Sequence, residues 1–276
     1  MKGLSGKSLA VFKLSESHVS WIVFVKNWFK ANFGLGQLSF LSRKKMAQPL
    51  AEKASYIVSR ELGFNLAPAT ERTEIGKKAG VFIIFIKNDK EEPFQEQAIS
   101  DVKQAGQVVK TERLKYQEAK TALEQEDNFA NKTEYSPEEL TTFQKFAVFD
   151  YLIGNLDRHT ENWFVTIKDE KLQKIKTIDN ANSFPKKLPR PGSRALHNQY
   201  QWKNLGIAAQ PWTDETKRFV KENLTPAKID DLLKKIGKEI PDFFEGDMKD
   251  LFIKRAAVIF QNIDTPQSAK DLADIH

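Results

Sequence analysis

The chain has 276 residues, 40% hydrophobic and 29% charged, a composition suited to a globular protein with one two-lobed domain or two small ones. It holds no cysteine, which excludes disulfides, thiolate metal sites and cysteine nucleophiles and fits a reducing compartment. The net charge is +6, and residues 17–51 and 180–213 contain no acidic side chain but five basic ones each, so positive charge gathers in two places and suggests an anionic partner there.

No apolar run reaches the roughly 18 residues needed to span a bilayer. The first apolar stretch is late and broken by Lys26 and Lys30, so no signal peptide is expected. Residues 1–13 read as a Gly/Ser turn (Gly3, Ser5, Gly6, Ser8) running into a strand that ends near Lys13. Between 18 and 45, Trp21, Phe24, Val25, Trp28 and Phe29 recur at helical spacing with lysines on another face, an amphipathic aromatic-basic insertion. A helix is expected over 49–62, with Pro49 in its first turn and Gly63 after its end. GVFIIFIKN (80–88) is a buried connecting strand. Residues 91–135 are highly charged and read as an exposed helical excursion.

Ser136-Pro137-Glu138-Glu139 opens a capped helix whose Leu140, Phe143, Phe146, Ala147 and Leu152 face a core. That helix delivers the chain to Asp157. WFVTIKDEKLQKIKTID reads as a hairpin turning at Lys168-Asp169-Glu170, which returns Asp179 toward Asn162. Residues 184–212, with four prolines, are irregular, and helices follow at Thr213, at Thr225-Pro226 and around 243–262. The fold class is α+β: a two-lobed, protein-kinase-like fold with a small β-containing N-lobe (1–90) and a mainly helical C-lobe (91–276), a nucleotide lying in the cleft between them.

The chemistry sits in a catalytic loop at 155–162 and a metal-binding segment at 178–185. Asp157, Asn162 and Asp179 supply an aspartate, an asparagine five positions later and a second aspartate beyond a hairpin. Protein kinases arrange a base and two metal ligands in this way. Asp157 is the candidate base, and Asn162 and Asp179 offer the oxygen donors that Mg²⁺ or Mn²⁺ prefers. His159 is either structural or a contact to the γ-phosphate or the acceptor oxygen. Arg158 is expected to brace the loop through carboxylate or backbone contacts. Lys13 resembles the kinase strand lysine that meets the α/β-phosphates of ATP, with Glu52 as its candidate partner and Glu61 competing. Ser5 and Gly6 would cover the phosphates, and Phe85, Ile86 and Lys87 mark where an adenine edge would meet backbone groups.

AVFK, LAEKASYIVSRELGFNLAPATE, GVFIIFIKN, FDYLIGNLDRHTENWFV and KTIDNANSFP occur in the order seen in phosphatidylinositol 3-/4-kinases, and the chain most resembles the type II phosphatidylinositol 4-kinases over roughly residues 5–225. The resemblance implies that Lys13 is the ATP-binding lysine, Asp157 the catalytic aspartate, and Asn162 and Asp179 the metal ligands. The cysteine-rich palmitoylated stretch of type II enzymes is replaced here by WIVFVKNWFKANFGLG, so acyl anchoring at that place is impossible.

The expected function is ATP-dependent transfer of the γ-phosphate to a phosphatidylinositol head group. The alternatives are an atypical protein serine/threonine kinase, regulated by an inositol polyphosphate, and an inactive kinase-fold binding module. Basic regions 26–45 and 186–203 would meet an anionic phosphoinositide membrane or a soluble inositol phosphate. A protein substrate is a further partner, and no specific nucleic acid is expected because no recognition motif accompanies the basic charge. A cytoplasmic protein with peripheral membrane association is the corresponding location.

Overall fold

The computed structural model describes residues 10–14, 47–75, 78–84, 132–159, 162–168, 171–187, 199–265 and 267–275. The chain divides into two compact units, Met1–Lys53 with Ala69–Thr111, and Ala54–Pro68 with Glu112–His276. The Gly/Ser turn, the 18–45 insertion and the excursion up to residue 131 lie outside the described residues.

In the first unit, β1 (Ala10–Leu14), β2 (Thr70–Ile75) and β3 (Lys78–Ile84) form an antiparallel sheet in the order β1-β3-β2. β3 is central, as its run of valine, phenylalanine and isoleucine demands, and it starts two residues before the expected 80. Lys13 on β1 stands opposite Val81 in the register. β2 was not anticipated, because TERTEI has one apolar residue and no hydrophobic alternation. Among the described residues it pairs with β3 alone, so its strand character comes from that ladder and from its two threonines. Lys53 reaches Glu71 on this strand at 3.3 Å.

Helix α1 (Ala47–Glu61) has Pro49 in its first turn and is followed by Gly63 in the left-handed region at φ 74°. Residues 54–68 group with the second unit rather than with the 1–90 domain that the sequence suggested. The reason is a set of bonds that fix this segment and then join it to distant parts of the second unit. The Ser59 hydroxyl accepts the N–H groups of Leu66 and Ala67 at 2.7 and 3.0 Å. The Leu66 carbonyl then accepts from the Thr177 N–H at 3.0 Å, and Arg60 and Glu61 pair with Glu239 and Lys235.

The core of the second unit is α2 (Pro137–Ile153). Its N-terminus carries a full capping box: the Ser136 hydroxyl accepts from the Glu139 N–H, and the Glu139 carboxylate accepts from the Ser136 N–H. Such caps contribute about 1 kcal/mol. Phe143, Phe146, Phe149 and Leu152 are fully buried. Phe146 stacks on Trp163 at 4.9 Å, and Phe143 and Phe146 both meet Trp202 edge-on. β4 (Trp163–Lys168) and β5 (Lys171–Thr177) form the expected hairpin, with a register shift between Thr166 and Ile167. Glu139 also accepts the Leu172 N–H at 3.0 Å, tying the start of α2 to β5.

Residues 132–136 enter α2 without helical structure, so the excursion is not helical at its end. Segment 184–212 is irregular where described, apart from short 3-10 turns at Gln201–Asn204 and Gly206–Ala209. α3 (Asp214–Asn223) and α4 (Pro226–Glu239) begin behind the hydroxyl caps Thr213 and Thr225. α5 (Met248–Asn262) starts later than 243, because Asp242 and Gly246 adopt left-handed conformations that turn the chain first. α6 (Ala269–Ala273) was not expected, and five residues are too few to show a period. No helix among the described residues is long and apolar enough to cross a membrane.

Candidate active site

α2 ends at Gly154, whose left-handed backbone (φ 62°, ψ 48°) reverses the chain into the loop that follows. The side chain of Asn155 then accepts the Asp157 N–H at 2.8 Å, a local turn that presents Asp157 at the surface end of the helix. The Asp157 carbonyl accepts from the Asn162 side-chain amide at 2.8 Å and from the His159 N–H at 3.0 Å, so Asp157 is held close to both His159 and Asn162. With its amide spent in this way, Asn162 keeps its Oδ1 free of hydrogen bonds from described residues and available as an oxygen donor.

The returning strand delivers the second aspartate. The Ile178 N–H donates to the Asn162 carbonyl at 3.0 Å, which places Asp179 one residue from a direct backbone link to Asn162. Asp179 is exposed and left-handed (φ 50°, ψ 52°), a conformation that aspartate tolerates better than most side chains. The segment beyond it is zipped onto the loop. The Leu156 N–H donates to the Asn182 carbonyl at 3.2 Å and the Phe184 N–H to the Ile153 carbonyl at 2.7 Å. The Asn182 amide donates to Asp157 Oδ2 at 3.2 Å, so it orients the carboxylate of the candidate base.

Arg158 lies beneath this surface, its side chain fully buried against the equally buried Asp150. Its Nε donates to Asp150 Oδ1 at 2.9 Å, its Nη1 to the carbonyls of Asn162 and Ile178, and its Nη2 to Asn180 Oδ1 at 2.5 Å. One guanidinium therefore holds the backbone beside both candidate metal ligands. The contacts run to a carboxylate, an amide and two backbone carbonyls, and none faces an open surface, so Arg158 occupies a supporting position rather than one that touches a reacting atom. The second oxygen of Asp150 accepts the Trp202 indole N–H at 2.9 Å. Burial pushes the Asp150 carboxyl above its ordinary value, while the Arg158 charge and the hydrogen bonds from Trp202 and Arg158 oppose that rise.

Asp157, Arg158, His159, Asn162 and Asp179 are thus brought together within the second unit. His159 is half-buried in the loop. Lys13 and Glu52 belong to the first unit, where Lys13 sits on β1 and Glu52 is buried on α1. Ser5, Gly6, Phe85, Ile86 and Lys87 lie outside the described residues. The sequence reading did not single out Asp150, Asn155, Asn182 or Trp202. A carboxylate set in the apolar run FAVFDYLI was the available signal for Asp150, since a buried charge needs a partner. Nothing in the local sequence marks Trp202.

A family model described as phosphatidylinositol 3- and 4-kinase matches residues 38–252. The chain belongs to that family. Among its relatives, the phosphatidylinositol 4-kinases type 2-beta of Gallus gallus and Mus musculus are each 31% identical over a stretch covering 28% of this chain. That stretch covers 19% of the Gallus gallus protein and 20% of the Mus musculus one, so the match spans about a fifth of each relative's length. The matched residues of the phosphatidylinositol 3- and 4-kinase model include α1, β2, β3, α2 and the whole loop from Gly154 to Phe184.

Proposed function

We propose that the protein is an ATP-dependent, metal-requiring phosphotransferase whose acceptor is a hydroxyl of a phosphatidylinositol head group. The observation that carries this reading is the backbone link from Ile178 to Asn162, which holds an asparagine oxygen and the Asp179 carboxylate on adjoining segments beside Asp157. Two hard oxygen donors suit Mg²⁺ or Mn²⁺, which complete their shells with water and phosphate oxygens. A cation held there supplies charge neutralisation to the phosphates. Asp157, fixed through Asn182, accepts the proton of the attacking hydroxyl. His159 contacts the γ-phosphate or the acceptor.

The reading includes a small β-bearing lobe and a mainly helical lobe. It assigns Lys13 to the α/β-phosphates and buried Glu52 to Lys13, and places nucleotide contacts at Ser5, Gly6 and residues 85–87. The acceptor is supported by family membership and by the names of the relatives. Peripheral attachment to an anionic phosphoinositide surface, through basic regions 26–45 and 186–203, follows from the two acid-free stretches. Of the described lysines in the second region, Lys186 pairs with Glu245 and Lys203 with Asp274, so binding there would exchange exposed ion pairs for lipid phosphates at little cost.

One pool of labelled ATP, offered with phosphatidylinositol vesicles and a protein acceptor, tests the proposal. Label is expected in the lipid and to be lost in Asp179→Asn. Label confined to protein would replace the lipid acceptor with an atypical protein kinase reading. Absence of metal-dependent nucleotide binding would leave a binding module on the same fold.

A further inference from the structure

Trp202 lies in the 3-10 turn Gln201–Asn204, is 1% exposed, and makes no contact that a reacting group would use. Its ring is packed by Phe143, Phe146 and Tyr200. Packing alone needs only the ring. The indole N–H, however, goes to the same carboxylate that orients Arg158, with Trp202 on one oxygen of Asp150 and Arg158 Nε on the other. We infer that Trp202 is a positioning residue for the metal ligands: acting through Asp150 and Arg158, its N–H fixes how Asn162 and Asp179 present their oxygens to a divalent cation. The inference rests on the kinase reading above.

The two oxygens of Asp150 compete for donors. Guanidinium N–H groups form a rigid fork, so a choice made at one nitrogen turns the others. With Asp150 Oδ2 satisfied by the indole, Arg158 gives Asp150 only its Nε. The Nη groups are then left for the Asn162 and Ile178 carbonyls and for Asn180. Without the indole N–H, Oδ2 is a buried carboxylate oxygen lacking a donor, which is costly to leave unmade. The nearest charged donor is Arg158, and a side-on, two-bond contact to Asp150 is its preferred carboxylate geometry. Such a contact uses Nε with Nη2, so it draws Nη2 away from Asn180 and, because the fork is rigid, swings Nη1 off the two carbonyls that flank the ligands. The Gln201 N–H also donates to the Arg158 carbonyl at 3.2 Å, so the same turn holds Arg158 by its backbone as well.

The test uses the full chain with Mn²⁺ titrated in the presence of a non-hydrolysable ATP analogue, bound metal being read from the loss of the free-ion paramagnetic resonance signal. Removing an outer partner of a metal site commonly costs 10- to 100-fold in affinity. Trp202→Phe is therefore expected to raise the half-saturating Mn²⁺ concentration about tenfold. Trp212→Phe is the matched control, being another buried tryptophan that makes no bond to Asp150; it should stay within about twofold of the parent while losing comparable thermal stability.

Replacement of Trp202 by β-(3-benzothienyl)alanine keeps the ring shape and deletes only the N–H. It should reproduce the shift, and it decides the matter if Trp202→Phe does not fold. An unchanged Mn²⁺ affinity in the benzothienyl protein overturns the inference, as does an equal shift in Trp212→Phe. If the parent protein takes up no Mn²⁺ with nucleotide, the kinase reading falls and this inference falls with it. A binding parent with an unaffected variant removes the inference alone.

Discussion

Replacing Arg158 by methionine tests the bracing role most directly. The substitution keeps a long side chain in the same space and removes one charge. Asp150 and Arg158 are both fully buried, so the change strands a carboxylate in the core. Breaking a buried pair from one side costs about 3–5 kcal/mol. The Ile178 carbonyl and Asn180 Oδ1 also lose their Arg158 bonds, whereas the Asn162 carbonyl keeps the Ile178 N–H. The new methionine contacts recover part of that loss. A net cost of about 4 kcal/mol at neutral pH is expected, against a typical total stability of 5–15 kcal/mol. The cost must also vary with pH. Burial already holds the Asp150 carboxyl above its ordinary value, and Arg158 is a main opposing influence, so the variant's carboxyl rises further. A group raised in the folded state favours folding when protonated and loses that advantage as pH climbs through its folded pKa. The difference between variant and parent should therefore be smallest at acid pH and grow with rising pH, by at most about 1.4 kcal/mol per unit. Urea unfolding of both proteins between pH 5 and 8, followed by circular dichroism, measures it. A loss below about 1 kcal/mol, or a difference that widens toward acid pH, would refute the assignment of Arg158 as the partner of a buried charge.

Asp179→Asn keeps a residue that tolerates the left-handed backbone, so stability should change by less than about 0.5 kcal/mol in thermal unfolding while phosphotransfer falls at least about a hundredfold. Asn182→Ala frees the Asp157 carboxylate, and kcat is expected to drop about tenfold with KM for ATP unchanged; a rise in KM alone would show that Asn182 serves nucleotide binding. Gly154→Ala places a Cβ at φ 62° and 2.5 Å from Arg255 Cζ. The flexible arginine can move aside, so a loss of about 1–2 kcal/mol should come from the backbone alone and persist in an Arg255→Ala background.

The parts of the second unit that obey local rules were readable in the sequence. Ser136-Pro137 with Glu139, and Thr213 and Thr225 before their helices, satisfy helix ends within a few residues, and each cap forms as the sequence suggests. The hairpin was legible because the charged Lys168-Asp169-Glu170 separates the aromatic and β-branched run WFVTI from a second run that carries Leu172, Ile175 and Thr177. β2 was not, since its strand state depends on the ladder to β3 rather than on its own residues. The grouping of residues 54–68 with the second unit was hidden for the same reason: it depends on Thr177 reaching Leu66 from 111 positions away. Within the site, Asp157, Asn162 and Asp179 stand out because oxygen ligands occur at a recognisable spacing. Their supports do not, because a partner 52 residues away, as Trp202 is from Asp150, leaves no periodic trace.

Exposure and support are divided in this site in a way that has a physical reason. The reacting groups lie toward the surface, with Asp179 exposed and Asp157 and His159 half-buried, while the other ligand, Asn162, is buried at 6% exposed. Water competes for any bond that an exposed residue makes, and surface pairs hold geometry weakly. Precise placement has to come from underneath, where Arg158, Asp150 and Trp202 are sealed from water. A buried ion pair is a poor source of stability, because hydrophobic side chains of the same size often do as well or better. Its use here is directional. Three N–H positions on one planar group meet two backbone carbonyls and an amide oxygen that lie on different stretches of chain, and no apolar replacement can specify that arrangement. The expected consequence is an asymmetry. Changes at Asp179 should abolish chemistry and spare the fold. Changes at Arg158 should damage the fold first, and only then, through Asn162 and Ile178, the chemistry.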